Sequence, residues 1–135
     1  MTLRKRLRGS RGAELIELAL VLPLLLVLIG GIVDFAFMFQ AFEALNNAAR
    51  EGARTRVLPG YTDADVQTRV QAYLTAAGLP ATPVTAVTQV TLGAGATASR
   101  GYQVQVTYVH QFTMLRSFVA NSVTLVARSV MRSET

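Results

Sequence analysis

From Leu18 to Phe39 every position is apolar or glycine except Pro23 and Asp34. A helix of that length spans roughly 33 Å, enough for a bilayer core. Helical periodicity continues beyond it: Ala41, Leu45, Ala48 and Gly52 recur on one face, while Glu43, Asn47, Arg50 and Arg54 point elsewhere. Pro59-Gly60 ends this long helix, and Thr62-Asp63-Ala64-Asp65 supplies an N-cap and early acidic residues for a second. Val66, Val70, Tyr73, Leu74 and Ala77 form the apolar face of that second helix, and Gly78 and Pro80 mark its end.

The period then changes to two. Val84 to Leu92, Tyr102 to Phe112 and Phe118 to Met131 are rich in Val, Thr and Tyr and read as strands of an antiparallel meander. Gly93 to Gly101 is too long for a tight hairpin and reads as a loop. The expected fold is α+β, with a long N-terminal helix, a short helix and a small three-stranded sheet. Three parts follow: a basic leader (1–12), the transmembrane and extended helix (13–58) and a small domain (59–135).

Charge places these parts. Of thirteen basic residues, five (Arg4, Lys5, Arg6, Arg8 and Arg11) precede Ala13, and the rest of the chain carries eight cations against eight anions. The positive-inside rule puts the leader in the cytoplasm and the domain on the far side. Little clustered charge remains on the domain for a phosphate backbone, so nucleic acid is not an expected partner. The apolar run exceeds the usual signal-peptide length and has no clean small-x-small site after it, which favours a retained anchor. Without cysteine the domain relies on packing, not disulfides.

The same composition argues against catalysis. Between Val66 and Ser133 there is no Asp or Glu, and His110 is the only histidine. Acid–base pairs, metal clusters and nucleophile triads all need such groups brought together. Neither an enzyme nor a cofactor is expected, and His110 reads as an ordinary strand residue.

An ionisable group within a hydrophobic span is a functional candidate by default. Glu14, Glu17 and Asp34 qualify. Near the helix N-terminus the macrodipole favours Glu14 and, less well, Glu17. Cleavage after Gly12 would create an α-amine on Ala13 able to neutralise Glu17 of a neighbouring subunit, a pairing that serves register more than net stability. Asp34 lies about 24 Å along the helix from Leu18 and either marks the outer interface or acts within the span. Pro23 and Gly30-Gly31 are weak places where the helix can bend.

The leader ending in Gly12, Glu17 at the fifth position after it, and Leu18-Ala19-Leu20-Val21-Leu22-Pro23-Leu24-Leu25-Leu26 resemble class III prepilin signals. With Asn46-Asn47-Ala48-Ala49-Arg50-Glu51-Gly52-Ala53-Arg54, the block 11–57 resembles TadE-like proteins, minor pseudopilins of tight-adherence (Tad, or Flp) type IV pilus systems in bacteria. The resemblance implies a minor pilin cut between Gly12 and Ala13 by a prepilin peptidase. Glu17, with Glu14, Pro23 and Asp34 nearby, would serve recognition or assembly. Implied partners are that peptidase, other Tad pilins, an inner-membrane assembly platform and membrane lipid, with Arg50 and Arg54 as contacts to a partner pseudopilin or as a solvated face supported by Glu51. The alternative is an uncleaved, signal-anchored envelope protein whose domain binds a ligand or partner.

Overall fold

Five elements and one short turn follow the order set by the change of period. In the computed structural model, residues 7–79, 83–94, 98–117 and 121–133 are described. The elements are α1 (Leu7–Val57), α2 (Asp63–Ala76), β1 (Val84–Leu92), β2 (Ser99–Gln111), a 3-10 turn (Leu115–Ser117) and β3 (Ser122–Arg132). The fold is α+β, and the sheet is an antiparallel meander in the order β1-β2-β3.

Helix α1 has 51 residues and is about 75 Å long. It runs without a break through both Gly12 and Pro23. Its two halves differ. From Leu15 to Val33 nearly all the large apolar side chains are exposed. From Asp34 onward a stripe at Asp34, Met38, Ala41, Leu45, Ala48, Gly52 and Thr55, alternately four and three residues apart, turns inward. The first half is an arm, and the second is the spine of the domain.

The spine is close-packed because its inward residues are small. Ala41, Ala48, Ala49 and Ala53 are buried with Leu45 against Val66, Val70 and Leu74 of α2 and Val104, Val106, Tyr108 and Ala127 of the sheet. Gly52 lies where the three layers meet: a Cβ there would fall 2.8 Å from Val70 Cγ2, 3.2 Å from Val104 Cγ1 and 3.3 Å from Val66 Cγ1.

Local chemistry sets the limits of α2. The Thr62 hydroxyl accepts from the Asp65 amide, and the Asp65 carboxylate accepts from the Thr62 amide, forming a capping box. At the other end Gly78, at φ +79°, donates to Thr75 O while Leu79 N–H reaches back to Leu74 O, a Schellman closure. Tyr73, expected on the inner face, is exposed at 39%. Pro80 lies outside the described residues.

Strand β1 has the expected limits, but β2 begins three residues early. Ser99 pairs with Leu92, so the described register shortens the connection expected over Gly93 to Gly101. Gly101 lies inside the sheet, where a Cβ would come within 2.7 Å of Leu92 Cδ1 and 2.9 Å of Met131 O. Strand β3 is Ser122–Arg132; the expected start at Phe118 lies outside the described residues.

The capping box gives one expected result. The Thr62 amide and hydroxyl hold the Asp65 carboxyl below its usual value of 3.8. Asp65 therefore stabilises the fold fully above that value, and the contribution disappears as pH falls through the lower folded-state value. Thr62→Ala should cost about 1 kcal/mol at neutral pH. Asp65→Asn should be destabilised at neutral pH, with the gap from the parent closing in acid; denaturant unfolding of the full chain in micelles across pH checks both.

Candidate functional site

Two features of α1 bear on function: the exposed arm and the polar group where the arm joins the domain. On the arm, Gly12, Ala13, Glu14 and Glu17 are all exposed on continuous helix. A Cβ at Gly12 would meet nothing within 4 Å. Neither Glu14 nor Glu17 has an ion-pair partner among the described residues. Among those residues α1 is the one helix long and apolar enough to cross a membrane, and its apolar surface is almost entirely uncovered by the rest of the chain. Pro23 is exposed and leaves the helix intact.

Asp34 is different. Its side chain is only 2% exposed, and its carboxylate accepts three backbone hydrogen bonds from the β2–β3 connection. Thr113 N–H donates to Oδ1 at 3.1 Å, and Met114 and Leu115 N–H donate to Oδ2 at 2.8 and 2.6 Å. The acid thus ties the domain's tip to the helix, across about 80 residues of sequence. Gly30 and Gly31, one turn earlier, explain how the tip approaches. A Cβ on Gly30 would be 3.0 Å from Met114 Cβ, and one on Gly31 would be 3.6 Å from Leu115 Cδ2. These glycines, expected as places for bending, form the floor on which the connection rests.

A cavity of about 430 Å³ lies beside this clamp, lined in part by Asp34, Gln40, Tyr108, His110 and Thr113. His110 packs edge-on against Phe112 with ring centroids 5.7 Å apart, and Phe35 of α1 is 6.3 Å from Phe112. The Asp34 oxygens in this lining are the ones that accept the amides of Thr113, Met114 and Leu115. No group of three or more His, Cys, Asp or Glu able to hold a metal ion occurs among the described residues.

Arg50 and Arg54 are exposed at the opposite end of the spine. Glu51, expected to support them, instead pairs with Arg69 of α2 at 3.0 Å. Arg56 is held by Asp63 and stacks 4.2 Å above the Tyr102 ring. The structure therefore separates the expected residues into three places: the free arm (Gly12 to Pro23), the clamp (Asp34) and the far surface (Arg50, Arg54).

Sequence reading missed the partners of Asp34, because backbone amides carry no residue signature. One signal was present: Asp34 continues backward the stripe of Ala41, Leu45, Ala48 and Gly52, which places it on the buried side.

No curated protein and no solved structure matches the chain. A family model does, over residues 12–54, from the Gly12 position through the exposed arm and most of the packed spine. That model describes TadE-like proteins, and the segment it matches, about a third of the chain, is the one that carries the resemblance seen in the sequence.

Proposed function

We propose that the chain is a minor pilin of a Tad-type pilus system, a structural subunit without enzymatic activity. The observation that carries this reading is the coincidence of the TadE-like match with an apolar arm that the domain leaves bare. The family match supports association with Tad pilus components, and the helix supports membrane anchoring. In this reading the N-terminus is cytoplasmic and the domain extracytoplasmic, and a prepilin peptidase removes residues 1–12. Other pilins and an inner-membrane assembly platform then receive the subunit.

The physics is an exchange of contacts. In the bilayer, lipid covers Leu15 to Val33; in an assembly, neighbouring helices do. Hydrophobicity alone does not favour the second state over the first, so packing and polar pairing must select it. The new amine of Ala13 and the exposed Glu17 carboxylate of a neighbour supply that pairing.

Processing can be read directly. Mass spectrometry of the protein from its native host should show Ala13 as the first residue, and Gly12→Leu should retain the leader. Since a side chain at position 12 meets nothing in the fold, loss of cleavage there reports on the peptidase and not on folding. Glu17→Gln should lower recovery in pilus fractions severalfold. A leader retained in assembled material would favour the uncleaved anchor instead.

A further inference from the structure

We infer that the segment 112–116, just after β2, is a membrane-seated tip: Met114 and Leu115 lie in the outer leaflet beside Gly30–Gly31, and Asp34 satisfies the backbone that enters with them. This rests on the membrane-anchored reading of α1 and extends it to a part of the domain to which that reading gave no role.

The argument begins with depth. A bilayer core of about 30 Å takes about 20 helical steps. Counted from Ala13, those steps end at Val33; counted from Leu18, they end at Met38. In the first register Gly30 lies about 4–5 Å below the outer boundary, and in the second about 12 Å below it. Tilting the helix moves the boundary further along the chain and deepens the contact. Because Met114 sits directly against Gly30, the tip shares that height. In both registers the domain cannot stand clear of the membrane while the clamp is closed.

Chemistry agrees with that depth. Irregular backbone is tolerated in hydrocarbon only where its polar groups are satisfied within the protein. Here the amides of Thr113, Met114 and Leu115 bond to Asp34, and the amide of Phe112 bonds to Asn121 O at 3.1 Å. Four successive donors are thus accounted for without water. The carboxylate is buried by the amides that it satisfies. Around them Met114 is 56% exposed, and Ile32 and Phe35 of α1 are 63% and 54% exposed, so the apolar surface of the arm continues onto the tip. Arg116 is exposed next to Leu115 and can reach lipid phosphates, as long cationic side chains do at interfaces. Lipid is the occupant that this continuity selects, since it already covers the arm.

The chain contains no cysteine, so single labels can be placed in the full protein. Four single-cysteine variants, Met114→Cys, Arg116→Cys, Leu25→Cys and Arg100→Cys, would carry an environment-sensitive fluorophore in phosphatidylethanolamine–phosphatidylglycerol vesicles. Leu25 is in mid-arm, and Arg100 is at the other end of β2, about 35 Å along the strand from Gln111. Nitroxides placed high on the lipid chains should quench the Met114 and Arg116 labels several-fold more than the Arg100 label. An aqueous quencher on both sides should do the reverse. If the Leu25 label is in lipid while the Met114 and Arg116 labels are as water-accessible as Arg100, the tip proposal is overturned and the anchor stands. If Leu25 is also in water, the anchor fails and the tip with it. Protection of Met114 that vanishes when the protein is diluted in lipid would mean that a second copy covers the tip, which also overturns the proposal.

Discussion

Asp34→Ala should release the β2–β3 connection from α1 while leaving the sheet paired. Three amides at Thr113, Met114 and Leu115 lose their acceptor together, and no other acceptor is bonded to them among the described residues. Hydrogen bonds to a charged group are about twice as strong as neutral ones, so amide exchange at these residues should accelerate roughly tenfold to a hundredfold. Exchange in β2 between Val104 and Tyr108 should change much less, because ladder bonds to β1 and β3 hold that region. Asp34→Asn is the informative second variant. Its one oxygen can replace Oδ1 or Oδ2 but not both, and its NH2 then faces a donor. It should fall between the parent and Asp34→Ala, and hydrogen exchange of the full chain in micelles measures the series. Equal protection in all three proteins would mean that packing on Gly30–Gly31, and not the carboxylate, holds the tip.

Gly52→Val should be the most damaging single change in the packed half of α1. Overpacking a filled site typically costs about 1–3 kcal/mol, and here even the first added carbon would sit 2.8 Å from Val70 and within 3.3 Å of Val104 and Val66. All three neighbours are β-branched and have little rotamer freedom with which to yield. Gly52→Ala sets two effects against each other. Helix propensity favours alanine by about 1 kcal/mol, whereas the contact with three valines on two other elements opposes it. The contact should win, leaving Gly52→Ala less stable than the parent in denaturant unfolding. A stabilised Gly52→Ala would show that α2 can move away from α1 at little cost.

These two positions also show how much could be read from residues alone. The small-residue face of Ala41, Leu45, Ala48 and Gly52 was legible because burial repeats with the helical period and needs no knowledge of the partner. The N-cap at Thr62 and the helix end at Gly78 were legible for a similar reason, since both are local signals; the capping box and the Schellman bonds that complete them are structural. The meander was legible from alternation in Tyr102-Gln103-Val104-Gln105-Val106. The start of β2 was not, since Ser99 joins the sheet only because Leu92 stands opposite it, and register belongs to the pair of strands.

The candidate sites divide in the same way. Gly12, Ala13 and Glu17 form a linear pattern, read as such, and the structure leaves them exposed on the arm. Glu51 shows the limit of local reasoning: Arg50 and Arg54 are near in sequence, yet Arg69, eighteen residues away on α2, is its partner.

The sequence by itself determined that this protein has one membrane-length apolar helix, a second capped helix and a three-stranded antiparallel sheet, because each follows from short-range periodicity and capping. Only the tertiary structure decided where the arm ends and the domain begins. That boundary is made by Asp34 and the amides of Thr113 to Leu115, and hydrogen bonding between a side chain and distant backbone leaves no trace in the order of residues.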